Sequence, residues 1–270
     1  MAVVAAFLVP GSPLPYFKPD NPPWSGLANA MQQAGNALAQ SGAESVVVYS
    51  TQWIAVLDQL WQTRAEITGV HVDENWHEYG ELPYKVVIDK ALTDAIIPAT
   101  AQFDIRSKGV DYDAFPIDTG TIVANNLLNS DGALKLVVTS NNVYHDWSMT
   151  ASLGRVAAEQ AAALDRRVAI VGVGGLSGAF HRQAIDIAED AIVNESDDEW
   201  NQRILSLMTE ADCEALLEAC PRFAQEARAD MGFKHAAFVL GALGERFSSA
   251  KVHGYGPLYG AGGAVVEFTP

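Results

Sequence analysis

The chain has 270 residues, 49% of them hydrophobic and 19% charged, enough for one large domain or two small ones around a substantial core. Its 33 acidic residues against 17 basic ones leave a formal net charge of -16, a surface that repels phosphate backbones and argues against nucleic acid as a partner. No apolar run approaches the roughly 20 residues that a membrane-spanning helix needs.

Ala2 to Val9 is an apolar run that reads as a first buried strand. It is too short, and lacks the basic flank, to be a signal peptide. A proline-rich loop follows to Pro23. Ser25 is a candidate cap for a helix running to about Ser41, with Gly42 just past its end. Glu44 to Tyr49 reads as a second strand, leaving through Ser50-Thr51-Gln52-Trp53, with Ile54 to Gln62 helical after it. Gly69 to Tyr84 is a polar, irregular segment with aromatics. Lys85 to about Ala101 carries apolar residues at helical spacing.

Gly109 to Ala124 reads as a loop and contains Phe115-Pro116-Ile117-Asp118-Thr119-Gly120. Leu134 to Thr139 is a further strand, and Ser148 to Leu164 an alanine-rich helix. Val168 to Phe180 is the stretch around which the chain is organised. Its apolar start fits a strand buried on both faces, and Gly172, Gly174, Gly175 and Gly178 crowd the strand's exit. In open α/β sheets the ligand crevice lies at such carboxyl ends. Asp197 to Gly244 is mostly helical, with Pro221 separating two helices, and Val252 to Phe268 is a glycine-broken strand pair. Cys213 and Cys220, in this helical part, read as reduced residues of a cytoplasmic protein. The simplest account is one α/β domain over residues 1–270, with a mostly parallel or mixed central sheet flanked by helices.

Motifs with chemical potential are weak when taken singly. Gly172, Gly174 and Gly178 do not make the dinucleotide fingerprint, and Asp186, Glu189 and Asp190 lie in an apparent helix where that fingerprint needs a strand end. His71, Glu74, His77 and Glu78 form the densest group of possible metal ligands, but their spacing does not match a helix-borne zinc signature, and a solvated loop is the simpler reading. His145 beside Asp146 is a candidate acid/base pair. His181, His235 and His253 stand alone. No nucleophile elbow or phosphate-binding loop is present.

The order of strand exits resembles the class III extradiol ring-cleavage dioxygenases. In that family the first strand ends in a histidine, a small residue and proline, and here stands Val9-Pro10-Gly11-Ser12-Pro13. A His-Trp pair becomes Gln52-Trp53, an Asp-His-Gly loop becomes Asp118-Thr119-Gly120, and a Gly-Gly-Leu-Ser-His exit becomes Gly174-Gly175-Leu176-Ser177-Gly178. Val72-Asp73-Glu74 through Glu81-Leu82-Pro83-Tyr84 also looks like the family. The resemblance implies an Fe(II) site of two histidines and a carboxylate, with open positions for a catechol-like substrate and O₂. The iron-binding histidines fall on Gly11 and Gln52, and the acid/base histidines on Thr119 and Gly178. The carboxylate falls near Gly232, where Asp230 is the nearest acid.

All four histidine positions are lost while their neighbours remain. The resemblance therefore implies a chain with no catalytic, cofactor-binding or metal-binding residues of its own. It would be a non-catalytic subunit supporting a homologous Fe(II)-bearing catalytic partner in a cytoplasmic α₂β₂ heterotetramer, away from nucleic acid and membranes. Trp24, Trp53 and Phe180 are candidate interface residues. Two other readings remain at this stage: an active Fe(II) dioxygenase whose site has moved to His71, His77, His145 or His181, and a small-molecule-binding module built on the vestigial pocket.

Overall fold

The computed structural model describes residues 2–113 and 117–270; Phe115 and Pro116 of the expected loop lie outside them. The strands are β1 (Val3–Val9), β2 (Ser45–Ala55), β3 (Gln59–Gln62), β4 (Glu66–His71), β5 (Leu82–Val87), β6 (Ser107–Val110), β7 (Lys135–Asn142), β8 (Val168–Val173), β9 (Ser249–Leu258) and β10 (Ala261–Thr269). The helices are α1 (Leu14–Phe17), α2 (Pro22–Gln40), α3 (Lys90–Ala99), α4 (Thr119–Leu128), α5 (Trp147–Ala163), α6 (Glu195–Thr209), α7 (Cys213–Glu226) and α8 (Lys234–Ala242).

Eight strands form one mixed sheet in the order β6-β3-β7-β2-β8-β1-β10-β9, and β4 pairs with β5 in a separate hairpin. The four central strands are parallel, as their uninterrupted apolar runs require, because both faces are covered. Alternation along β2 shows this directly. Val47 and Tyr49 enter one core with α3, α5, α6, α7 and α8. Val46 and Val48 enter the other with α2, α4 and the β4–β5 hairpin. The closing pair β9–β10 is antiparallel and joins the sheet beside β1. Among the described residues, no helix is long and apolar enough to cross a membrane.

Several local expectations are corrected. Ile54 to Gln62 is not helical: β2 runs on to Ala55 and β3 takes Gln59–Gln62. Pairing with β7 overrides the local pattern there, with Ile54 opposite Asn141 and Trp61 opposite Thr139. The segment from Gly69 to Tyr84 contains parts of both hairpin strands, and Lys85 to Val87 complete β5, so α3 begins only after Asp89 caps Leu92 N–H. Within the expected loop 109–124, α4 begins at Thr119 because Asp118 accepts the Thr121 N–H. The first long helix starts at Pro22, not at Ser25, whose hydroxyl instead donates back to the Pro22 carbonyl at 3.1 Å. Pro221 sits inside α7, which continues across it to Glu226. Trp24 and Trp53 are buried and so are not exposed interface residues, whereas Phe180 is 58% exposed.

Asp186 and Asp190 flank a single 3-10 turn, Ile187–Glu189, in place of the expected helix. The Asp190 carboxylate is fully buried and explains why this segment is fixed without regular structure. Its Oδ2 accepts from Trp24 Nε1 and Tyr259 N–H, both at 2.7 Å, and its Oδ1 accepts from Gly260 N–H at 2.9 Å. The contacts pin α2 to the β9–β10 turn. Replacing Asp190 by alanine strands these buried donors and is expected to cost about 3 kcal/mol or more in equilibrium urea unfolding. Asp186→Ala, which removes one exposed turn bond to Ala188 N–H, should cost less than about 1 kcal/mol.

Candidate functional site

The site is built by a bulge in β2. Tyr49 pairs with Thr139 and Ile54 with Asn141, so four residues of β2, Ser50 to Trp53, stand opposite the single residue Ser140 of β7. A bulge of this kind re-aims side chains at a sheet's exit. Ser50 donates its hydroxyl to Asp118 Oδ1 at 2.5 Å. Thr51 donates to Asp230 Oδ2 at 2.7 Å. Gln52 reaches in two directions: its Nε2 donates to the Gly11 carbonyl at 3.2 Å and its Oε1 accepts the Gly120 N–H at 2.8 Å. Gly11, Gln52 and the Thr119–Gly120 helix start are thus joined. Gly11 has no side chain to interfere; a Cβ there would lie 2.8 Å from Gln52 Nε2 and 3.2 Å from Val173 Cγ1.

Thr119 is buried and joins the helix start to the hairpin. Its hydroxyl donates to Asp73 Oδ2 at 2.7 Å, and His71 Nε2 approaches the Thr119 Oγ1 at 2.8 Å. A hydroxyl has one proton, and with that proton directed to Asp73 the Thr119 oxygen accepts from His71 Nε2. The other Asp73 oxygen accepts the N–H groups of Asn75 and Trp76. His71, Asp73 and Glu74 offer ligand atoms within 4.8 Å of one another, but the Asp73 oxygens and His71 Nε2 already serve this hydrogen-bonded turn. His77 stands apart, exposed, with Nδ1 near the Glu74 carbonyl.

The fourth position, Gly178, is not brought into this cluster. Its N–H donates to the Ala227 carbonyl at 3.1 Å, and a Cβ on it would lie 2.3 Å from the Arg228 carbonyl oxygen. The segment between α7 and α8 therefore occupies the space of any side chain at 178. That segment is unusual: Arg228, Met231, Gly232 and Phe233 all have left-handed φ, of 50°, 45°, 71° and 62°. Three of the four carry side chains, for which this region is costly. Packing and polar contacts hold it. Phe233 is fully buried against Phe223, with ring centroids 4.9 Å apart, and Arg228 pairs with the buried Asp197 at 3.0 Å. The Asp230 carboxylate takes the Gly175 N–H as well as the Thr51 hydroxyl. The motif serine also has a structural partner, since Ser177 exchanges hydrogen bonds with the buried Asn201.

The remaining histidines lie in separate settings. Asp146 caps α5 by accepting Met149 N–H and is not paired with His145, whose Nδ1 is buried without a partner. Burial and the nearby Lys234 hold the His145 ring below its ordinary pKa. His181 contacts Asp190 and the Ala191 carbonyl, and His253 lies between Gln33 and Glu267. His235, on the first turn of α8, is almost fully buried with an unpartnered Nδ1. Burial pushes its pKa down to about 4, against a smaller opposing pull from Asp230. Nothing in the sequence pattern around His235 marks this burial. Cys213 and Cys220 are free, and burial raises the Cys220 thiol to about 12.

A ferrous site of two imidazoles and a carboxylate does not fit these residues. Gly11 and Gly178 offer no donor atom, the Gln52 amide is bonded at both ends, and the Thr119 hydroxyl is held between His71 and Asp73. The acid nearest the family's carboxylate position, Asp230, accepts from Thr51 and Gly175 through Oδ2, and Asp118 accepts from Ser50 and Thr121.

Residues 6–267 match the family described as the catalytic LigB subunit of aromatic ring-opening dioxygenase, and the chain belongs to that family. Along its whole length it is similar to the 2-aminophenol 1,6-dioxygenase alpha subunit of a Pseudomonas species, 49% identical over 270 residues that cover 100% of both chains. Similarity to the 2-aminophenol 1,6-dioxygenase beta subunit, also of a Pseudomonas species, is lower: 23% over 285 residues, covering 98% of this chain and 93% of that one. An uncharacterized protein from Escherichia coli K12 shares the fold, with a TM-score of 0.67, 13% identity and coverage of 98% and 99%.

The buried His235 makes a pH prediction. Its pKa is lower in the folded chain than the ordinary 6.5, so the unfolded chain binds more protons between about pH 6.5 and 4. Stability is full above that window and falls through it as the pH is lowered, by up to about 3 kcal/mol. Thermal melts from pH 7.5 to 4 should show this decline, with a shallower slope in His235→Gln.

Proposed function

We propose that this chain is the non-catalytic, alpha-type subunit of a heteromeric extradiol dioxygenase that opens the ring of 2-aminophenol. The observation that carries the reading is the end-to-end 49% identity to an alpha subunit of that activity, against 23% to a beta subunit. The geometry supports it independently, because the exits that would hold iron carry Gly11, Gln52, Thr119 and Gly178, and these are taken as the family's lost ligand and acid/base positions. On this reading the chain has no catalytic residue.

The homologous beta-type partner carries Fe(II) and performs the O₂-dependent cleavage of 2-aminophenol to an aminomuconic semialdehyde. Two copies of each subunit assemble, as an α₂β₂ heterotetramer, in the cytoplasm. An obligate interface of this type buries roughly 2,000 Å² or more. One domain over residues 1–270 is part of the same reading, supported by a sheet that joins β1 to β10 and β9. A relocated iron site gains no support from His71, His77, His145 and His181, which are bound up in different local contacts or, for His145, packed away.

The test is oxygen uptake with 2-aminophenol by the purified chain, by the beta-type partner, and by the two co-expressed. No turnover is expected from the chain alone, and full turnover only from the co-purified complex. Turnover by the isolated chain, or a partner that is equally stable and active without it, would overturn the assignment.

A further inference from the structure

We infer that the former ligand positions are not an emptied pocket but rebuilt, metal-free joints: Gln52 and Thr119 tie the β1 and β2 exits to α4 and the hairpin, and the α7–α8 connector fills the space at Gly178. The inference rests on the positional correspondence drawn under the proposed function. It adds that reinstating the lost side chains does not restore metal binding.

Each position has acquired a job that depends on its neighbours. Gly11 leaves space that Gln52 Nε2 enters, and the same amide takes the Gly120 N–H, so one side chain spans the exits of β1 and β2 and the start of α4. Thr119 replaces an acid/base group with a hydroxyl relay from His71 to Asp73, tying α4 to the β4–β5 hairpin. Gly178 leaves the space that the Arg228 carbonyl fills, 2.3 Å from where its Cβ would be. Unlike the tip of a long side chain, a backbone carbonyl cannot swing aside.

The connector is locked from several sides. Phe233 is buried, Arg228 is paired with Asp197, and Asp230 takes donors from both β2 and the β8 exit. Its left-handed residues hold Gly232, nearest to the family carboxylate, at φ 71°, where an added Cβ meets nothing within 4 Å. A side chain there enters open space without a neighbour to orient it. The three donors of a facial ferrous site must converge with metal–ligand distances of about 2.0–2.2 Å. The two histidine positions lie on the β1 and β2 exits, whereas on the connector Gly232 carries no donor and the Asp230 carboxylate is turned to Thr51 and Gly175, which both bond its Oδ2.

The experiment uses the full chain in two variants. Gly11→His/Gln52→His/Gly232→Glu restores the ligand side chains, and Gly178→Ala adds one methyl group against the Arg228 carbonyl. Fe(II) is added anaerobically and bound iron is counted after desalting; melting temperatures are taken with and without EDTA. The expected results are less than about 0.1 iron per restored chain, a wild-type melting temperature unmoved by EDTA, and a fall of about 5 °C or more in Gly178→Ala. One iron per restored chain would overturn the inference, and so would an unchanged melting temperature in Gly178→Ala, a readout that stands even where the triple variant does not fold. None of these readings involves the partner or turnover, so their failure is distinct from failure of the proposed function.

Discussion

The excess of three residues in β2 over β7 is the constraint on which the strand-exit face depends. A regular strand would send alternate side chains of Ser50 to Trp53 to opposite faces of the sheet. The bulge instead lets successive residues reach three different elements: Ser50 the start of α4, Thr51 the α7–α8 connector, and Gln52 both the β1 exit and α4. Trp53 is buried behind them. Strand exits are where parallel sheets leave backbone N–H and carbonyl groups without ladder partners, and buried groups of this kind must be paired somewhere. Here the Gly11 carbonyl and the Gly120 N–H are paired by one amide.

The α7–α8 connector shows the opposite economy. Left-handed φ at Arg228, Met231 and Phe233 costs roughly 1–2 kcal/mol per residue. Such conformations persist only where the surroundings over-determine them. Full burial of a phenylalanine side chain contributes about 1.5–3 kcal/mol, and the edge-on contact of Phe233 with Phe223 adds to it. Packing of this one ring therefore offsets much of the local strain. The Asp230 bonds then fix the direction in which the strained segment faces.

How much of this was legible in the sequence follows from the range of the forces involved. The central strands declared themselves, because burial on both faces demands apolar runs such as Val46-Val47-Val48 and Val168-Ala169-Ile170-Val171. Elements that exist through their neighbours were misread. β3 has four residues and is held by β6 and β7, and α4 contains Gly120, two threonines and two asparagines, poor helix formers that tertiary burial overrides. Its signal was present in Asp118, a capping residue three places before Thr121. Spacing of family motifs singled out Gly11, Gln52, Thr119 and Gly178, of which the first three are joined in the fold and Gly178 lies apart. It did not reveal what touches them, since Gly11 and Gln52 meet across 41 residues, and Gly178 meets Arg228 across 50.

On the proposed reading, that separation explains how the fold would survive without the chemistry. In a metal-bearing arrangement, an ion bridges the sheet exits and the helix that follows them, and binding energy doubles as folding energy. Taking away the imidazoles alone would leave those segments unbridged and their polar groups unpaired. Here the bridge is remade from short-range parts: an amide across β1, β2 and α4, a hydroxyl between His71 and Asp73, and a carboxylate between β2, β8 and the connector. Each is a hydrogen bond with a net worth of about 1 kcal/mol, rising to about 1.5–3 where a charged group takes part. Together they connect the exits of β1, β2 and β8 with α4, the hairpin and the connector. On the proposed reading, a chain tied in this way offers a homologous partner a surface whose order rests on its own hydrogen bonds.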